Sequence, residues 1–134
     1  MNVRHVTPIL NVSDLAESFA WFEKLGWKKD WDYGDPPDFG AVRNGACVIF
    51  LCLNGQGSRG GRRPRDAHSD YLSGTWMAWA LASPADVDAA YALAVQQGVA
   101  VSAPPGDRPW NMRECHLRHP DGHTLRVGAV IEEE

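Results

Sequence analysis

Three histidines near the end of the chain have a spacing that could bind a metal ion. His116, His119 and His123 follow the pattern His-x-x-His-x-x-x-His, and imidazole nitrogen is a common zinc ligand. For all three side chains to bind one ion, His116 on a strand would have to meet His119 and His123, which flank a tight turn. That hairpin geometry is unusual. We therefore expect His119 and His123 to be solvated turn residues rather than metal ligands.

Two polar residues of the same segment could do other chemistry. Alternate residues of a strand share a face, so Glu114 and His116 would lie side by side, with Cys115 and Leu117 on the opposite face. Either polar side chain could act as a general base, or both could line a binding cleft. The chain has no nucleophile elbow, Walker sequence or phosphate-binding glycine loop.

The elements that position these residues begin with a hairpin. Pro120, Asp121 and Gly122 have the residue types of a tight turn. They predict that a strand led by Trp110 pairs with the strand that follows the turn.

Two helices are predicted, from Ser13 to Gly26 and from Ser83 to Gly98. Each begins with a capping residue and ends at a glycine that permits the left-handed stop. The residues spaced for burial are Leu15, Phe19, Phe22 and Leu25 in the first helix and Val87, Tyr91 and Ala94 in the second.

The predicted order βαβββ occurs twice, which indicates an internal duplication. The predicted strands cover residues 5–12, 27–33, 39–44 and 47–53, and then 75–82, 99–103, 110–118 and 123–130. We expect a single α+β domain made of two modules, at about 3–54 and 75–131. A Gly/Arg-rich loop over residues 55–74 would join them.

Composition sets further expectations. The chain has 134 residues, 44% of them hydrophobic, and a formal net charge of −4. It has no apolar run long enough to span a membrane, and its acidic balance argues against nucleic acid as a partner. We expect a cytoplasmic protein whose cysteines, Cys47, Cys52 and Cys115, are buried and reduced.

The sequence resembles the vicinal oxygen chelate superfamily, which includes glyoxalase I, extradiol dioxygenases and bleomycin-resistance proteins. The resemblance is carried by the segments 7–15, 19–26 and 118–126, and the segments 39–43 and 109–114 look most like the bleomycin-resistance branch. It implies curved sheets around a ligand cleft, usually in a homodimer. It also implies that Pro8 helps to kink an N-terminal strand exchanged between subunits.

Enzymes of this superfamily hold a divalent metal with His and Glu side chains at four strand positions. By motif alignment those positions are Thr7, Phe50, Trp76 and Arg126 in this chain. None is a usual ligand for such a cation. We therefore expect no metal cofactor, and no chemistry of the glyoxalase, dioxygenase or fosfomycin-transferase type.

The resemblance also indicates what the cleft binds. Phe39 and Trp110 align with aromatic residues that clamp the flat heteroaromatic tail of the drug in bleomycin-resistance proteins. The complete set of predicted ligand-binding residues is Trp31, Phe39, Phe50, Trp76, Trp110, Glu114, His116 and Arg126. The sequence leaves the charge of the ligand open. Asp30, Asp32, Asp35, Asp38 and Glu114 favour a cation, whereas Arg126 and the arginines of the 55–74 loop oppose one.

We expect a metal-independent, homodimeric protein of bleomycin-resistance type. It would bind an antibiotic-like, planar aromatic molecule and confer resistance by sequestration rather than by chemistry. An enzyme that uses Glu114 or His116 as its base without the usual metal is the alternative. A third possibility is a structural or regulatory dimer whose own side chains fill the cleft.

Overall fold

A computed structural model describes residues 1–61 and 74–132. The chain divides into two compact units, Met1–Arg59 and the part from Gly60 onward. The elements of the first unit are β1 (Ile9–Val12), α1 (Leu15–Lys24), β2 (Lys28–Gly34), β3 (Pro37–Asn44) and β4 (Cys47–Leu53). Those of the second are β5 (Trp76–Ala80), α2 (Pro84–Gln96), β6 (Ala100–Arg108), β7 (Met112–Arg118) and β8 (Thr124–Val130).

The two units have the same topology. The strand order is β1-β4-β3-β2 in the first sheet and β5-β8-β7-β6 in the second. In each sheet the strand before the helix pairs in parallel with the last strand of the unit, and the other neighbours are antiparallel. The predicted α+β fold with two βαβββ modules is confirmed.

The helices begin and end where their capping residues predict. Asp14 accepts a hydrogen bond from the backbone N–H of Glu17 at 2.9 Å, and Ser83 accepts one from Asp86 at 3.3 Å. Gly26 and Gly98 follow the helices with φ of +89° and +73°, values that favour glycine. These caps fix the point at which each chain segment returns to its sheet.

One face of each helix supplies the core of its unit. Leu15, Phe19 and Phe22 of α1 are buried as predicted, and so are Ser18 and Trp21. Val87 and Ala94 of α2 are fully buried. Leu25 and Tyr91 are only half-buried, so the buried stripe of each helix differs slightly from the predicted one.

Several strand boundaries differ from the prediction, and three of the differences bear on the site or on the edges of the sheets. β1 begins at Ile9 rather than at residue 5, and Pro8, which has no N–H to donate, stands just before it. β6 continues to Arg108, through prolines that an edge strand tolerates. Trp110 lies in the turn between β6 and β7 rather than in a strand.

The turn histidines are buried, so the prediction that they are solvated is wrong. His119 is 1% exposed and His123 is fully buried. His123 Nδ1 accepts the backbone N–H of Thr75 at 3.0 Å, and His119 Nδ1 accepts that of Asp121 at 3.0 Å. The backbone N–H of Gly60 also donates to the carbonyl of Asp121 in this turn, at 2.7 Å. These contacts bury the turn.

The cysteines are all free, but they are not all buried. Cys52 and Cys115 are buried, whereas Cys47 is exposed at the start of β4, next to the β3–β4 turn. The prediction of three buried thiols is therefore wrong for Cys47. Neither of the two helices in the described ranges is long and apolar enough to cross a membrane.

The predicted loop over 55–74 is described only at its ends, since residues 62–73 lie outside the described residues. Side-chain hydrogen bonds hold the first end of this loop, at residues 54–59. Asn11 Nδ2 donates to the carbonyls of Gly55 and Gly57 at 2.7 and 2.8 Å. Arg59 donates to the side chain of Asn54 at 2.9 Å.

The buried turn gives a test of stability. Replacing His123 with Ala leaves a cavity and leaves the N–H of Thr75 without its acceptor, so we expect a loss of about 2–4 kcal/mol in the free energy of unfolding. Urea unfolding measures this loss. The matched control is His5→Ala at an exposed position, which should change stability by less than about 0.5 kcal/mol. Equal effects of the two substitutions would contradict this account of the turn.

Candidate functional site

Three of the predicted ligand-binding residues form one aromatic cluster in the first unit. The register places Trp31 beside Ala41, and Ala41 beside Phe50, across β2, β3 and β4. The ring of Phe39 is 5.8 Å from that of Trp31 and 5.5 Å from that of Phe50, and the rings of Trp31 and Phe50 are also 5.5 Å apart. Trp31 is 39% exposed. We call these three residues the aromatic face.

Helix α1 lies on the opposite side of this sheet. Phe19 of α1 packs onto Gly40, where an added Cβ would lie 2.6 Å from Phe19 Cζ. The strand residues of that side, such as Ile49 and Leu51, are buried. The core of the unit therefore forms on the helix side, and the three aromatic rings are on the other side, where strand alternation places them.

The other five predicted residues come together in the second unit around Glu114. Glu114 lies on β7 directly between Gly106 of β6 and Gly128 of β8. A Cβ added to Gly128 would lie 3.0 Å from Glu114 Cγ, and one added to Gly106 would lie 2.9 Å from Arg108 Nη1. The two glycines thus give the carboxylate and its neighbouring guanidinium room to fold over the sheet.

The carboxylate of Glu114 is 4% exposed and is compensated by a set of donors and cations. Its Oε1 accepts from Arg126 Nη2 at 2.5 Å and from Trp110 Nε1 at 3.2 Å. Its Oε2 lies 3.8 Å from Arg108 Nε and 3.9 Å from His116 Nε2. A buried charge is tolerated only with such partners. We call Arg108, Trp110, Glu114, His116 and Arg126 the Glu114 cluster.

The aromatic rings of the second unit are fixed by this cluster. Trp76 meets the ring of His116 edge-on, with centroids 5.6 Å apart. The guanidinium of Arg126 lies 6.0 Å from the ring centroid of Trp110. Trp110 is 57% exposed, yet its indole N–H is held by Glu114. An exposed ring that is held in place is preorganised for stacking.

The same contacts set the protonation states. Burial on its own raises the pKa of Glu114, but hydrogen bonds from Arg126 and Trp110 and the nearby positive charges lower it overall. Burial is the main cause that lowers the pKa of His116; Glu114 opposes this effect, and Arg108 and Arg126 add to it. At neutral pH Glu114 is therefore an anion and His116 a neutral imidazole.

This electrostatic arrangement separates the two candidate bases. Glu114 is held in an ion pair and has a lowered pKa, so it is a poor proton acceptor. His116 is neutral and 8% exposed, and a neutral imidazole can accept a proton. Between the two residues, the geometry favours His116 for any acid–base role.

The four positions that the resemblance assigns to metal ligands do not suit a divalent cation. Phe50 packs its ring in the aromatic face, and Trp76 contacts His116. Arg126 is a cation paired with Glu114, and Thr7 lies outside β1. Within residues 1–61 and 74–132, no group of three or more His, Cys, Asp or Glu side chains could hold a metal ion.

The acidic residues of the first unit are partly neutralised. Arg43 binds Asp30 through two nitrogens at 3.0 and 3.1 Å, and Lys29 binds Asp32 at 2.5 Å. These pairs remove two of the carboxylates that could have attracted a cationic ligand.

The sequence patterns do not identify Arg108, which lies 3.8 Å from Glu114 Oε2, as a residue of the site. Arg108 follows Pro104, Pro105 and Gly106, whose residue types are typical of a loop and do not predict a strand. In the structure β6 reaches Arg108 after two irregularities in its pairing with β7.

Comparison with known proteins gives a family and a set of similar folds. The Glyoxalase/Bleomycin resistance protein/Dioxygenase superfamily matches residues 2–127. No curated protein matches the chain.

Among solved structures, a glyoxalase/bleomycin resistance protein/dioxygenase from Nocardioides is 22% identical, with a TM-score of 0.73 over 100% of this chain and 89% of its own. The bleomycin resistance determinant encoded on the transposon Tn5 is 18% identical, with a TM-score of 0.70 over 96% and 98%. A bleomycin-binding protein in complex with bleomycin is 18% identical, with a TM-score of 0.68 over 95% and 98%. These likenesses establish the fold.

The lowered pKa of His116 predicts how stability depends on pH. In the unfolded chain His116 has its ordinary pKa of 6.5, so acid protonates the unfolded state first. The contribution of His116 is therefore fully present above pH 6.5 and is lost as the pH falls through the lower folded pKa. We expect the free energy of unfolding, measured in urea, to decrease from about pH 7 to about pH 5.

The variant His116→Gln should make this decrease smaller, whereas His5→Gln, at an exposed position, should leave it unchanged. A pH dependence that is the same in His116→Gln and in the original protein would contradict the assignment.

Proposed function

Because the chain belongs to the glyoxalase/bleomycin resistance protein/dioxygenase superfamily, we propose that it is a metal-independent small-molecule-binding protein. It binds a planar aromatic compound and acts by sequestration, in the manner of bleomycin-resistance proteins. The observation that carries this proposal is Trp110, which is 57% exposed while Glu114 holds its indole N–H at 3.2 Å. A large ring held in solvent by a buried carboxylate is suited to stacking.

Further support comes from the other aromatic residues. The aromatic face of the first unit presents a second set of rings, among which Trp31 is 39% exposed. Exposed rings on both units fit a binding protein better than a structural protein whose own side chains cover such surfaces. Two proteins with this fold are a bleomycin resistance determinant and a bleomycin-binding protein. At 18% identity they support the class of function and leave the ligand open.

Metal independence is supported by the chemistry of the residues at the four metal positions. A divalent cation needs oxygen, nitrogen or thiolate donors, and Phe50 and Trp76 present aromatic rings there. Arg126 carries a positive charge that is compensated by Glu114. A cation beside Arg126 would compete with it for the same carboxylate.

An enzymatic function is the second candidate, and His116 is the observation that favours it. Its imidazole is buried, neutral at pH 7 and 3.9 Å from a carboxylate oxygen of Glu114. A substrate held against Trp110 would be near this base. In this case turnover of a bound ligand would be lost in His116→Gln, whereas sequestration requires only that binding persist.

Ligand binding is tested by tryptophan fluorescence. We expect quinoline-2-carboxamide, a neutral planar aromatic probe, to quench the fluorescence in a saturable manner, and a panel with bleomycin tests the drug class. Stacking contributes about 1–3 kcal/mol, so Trp110→Ala should weaken binding by about fivefold to 150-fold. Trp110→Phe, which keeps a ring, should retain most of the affinity.

The matched control is Val95→Ala, which removes an exposed apolar side chain on α2 and should leave binding unchanged. Absence of saturable quenching by every planar aromatic in the panel, or full binding by Trp110→Ala, would overturn the proposal.

We also propose that the protein acts as a homodimer in the cytoplasm. Residues 1–8 precede β1, and Met1, Val3 and Val6 are 113%, 66% and 86% exposed. A second subunit would bury these apolar side chains. Analytical ultracentrifugation should show a dimer that Val3→Glu with Val6→Glu dissociates, whereas Val95→Glu should not. A monomer at all concentrations would contradict the dimer.

A further inference from the structure

The Glu114 cluster contains two arginines and one carboxylate, and we propose that its ligand is an anion. The ligand is a planar aromatic compound that carries a carboxylate group, with its ring against Trp110 and its carboxylate against Arg126 and Arg108. This inference rests on the proposed function and deepens it, since it gives the chemical class of the bound molecule.

The balance of charge in the Glu114 cluster favours an anionic ligand. Glu114 compensates one of the two guanidinium groups, and His116 adds no charge because burial lowers its pKa. Arg126 donates to Glu114 through one nitrogen, while a guanidinium has five N–H donors. Among the residues that the structure describes, the cluster therefore keeps one positive charge beyond the charge of Glu114, and Arg126 keeps N–H donors that its bond to Glu114 does not use.

The order of the charged groups from the interior to the solvent also favours an anion. The side chain of Glu114 is 4% exposed, while those of Arg108 and Arg126 are 27% and 39% exposed. A ligand that arrives from solvent meets the guanidinium groups before it meets the carboxylate. Guanidinium groups bind carboxylates with two parallel hydrogen bonds, so the accessible part of the cluster selects an anion.

Small neighbouring residues leave space for a ligand beside the charged groups of the Glu114 cluster. The strand register places Ala103 beside His116 and Ala78 beside Arg126, in addition to the glycines on both sides of Glu114. Small residues on the same face leave room above the sheet for a ligand. Trp110 and Trp76 bring aromatic rings to the charged groups, which suits a molecule that joins a flat ring to an anionic group.

A cationic ligand is disfavoured by the same geometry. It would have to displace Arg126 from Glu114 or approach two guanidinium groups. The carboxylates of Asp30 and Asp32, in the first unit, are already paired with Arg43 and Lys29. A cation therefore gains little from any of these three carboxylates.

The test compares three probes that share one ring system and differ in charge: quinoline-2-carboxylate, quinoline-2-carboxamide and quinolin-2-ylmethylammonium. Isothermal titration calorimetry with the full chain at pH 7.5 measures their Kd values. A hydrogen bond to a charged group contributes about 1.5–3 kcal/mol, so we expect the carboxylate to bind at least about tenfold more tightly than the amide. The ammonium compound should bind most weakly.

The decisive variant is Arg108→Gln, which keeps the Glu114–Arg126 pair and removes one accessible cation. It should reduce the ratio of carboxylate to amide affinity severalfold, because the lost positive charge matters more for the anionic probe than for the neutral one. The matched control is Arg113→Gln. Arg113 lies on the opposite face of β7, paired with Asp88 and Asp107, and its loss changes net charge equally.

The outcomes separate this inference from the proposed function. Equal affinities for the three probes, or tighter binding of the ammonium compound, would overturn the anion and leave the binding function intact. An equal loss of preference in Arg113→Gln would also overturn it, because net charge alone would then explain the result. If no probe binds, the proposed function fails and the inference fails with it.

Discussion

The structure of the candidate site depends on the buried carboxylate of Glu114. A carboxylate that is 3–4% exposed has to be compensated inside the fold, and every other member of the cluster is placed by this requirement. Arg126 and Trp110 donate to one oxygen, while Arg108 and His116 approach the other. Because the indole N–H of Trp110 is used in this way, the ring is held in place although more than half of its surface is exposed. Gly106 and Gly128, directly across from Glu114, make the arrangement sterically possible.

The two units have the same topology, but the sheet face opposite the helix carries different side chains in each. In the first unit the face opposite the helix carries Trp31, Phe39 and Phe50, whose rings contact one another. In the second unit the equivalent face carries an ion pair bordered by Trp76 and Trp110. Both faces are possible because the buried apolar residues lie on the helix side of each sheet, which leaves the other side available for binding.

Much of this arrangement could be predicted from the sequence, because it follows from local rules. Capping residues and glycines determined the two helices, and the period of two along β7 placed Glu114 and His116 on one face. The same rule does not identify Arg108, because Pro104 and Pro105 are typical of a loop and the sequence does not show that the edge strand β6 continues past them. The burial of His119 and His123 was missed because it depends on Gly60 and Thr75, which are distant in sequence. Local patterns do not contain such contacts.

The most direct test of the central claim is an NMR titration of ¹⁵N-labelled protein with quinoline-2-carboxylate. The indole N–H signals of the six tryptophans report on each ring separately, and the Nε–H of Arg126 reports on the ion pair. If Trp110 and Arg126 form the binding surface around Glu114, their signals shift most and saturate together. Saturable shifts that leave Trp110 and Arg126 unchanged would contradict the account, because the ligand would then bind elsewhere on the molecule.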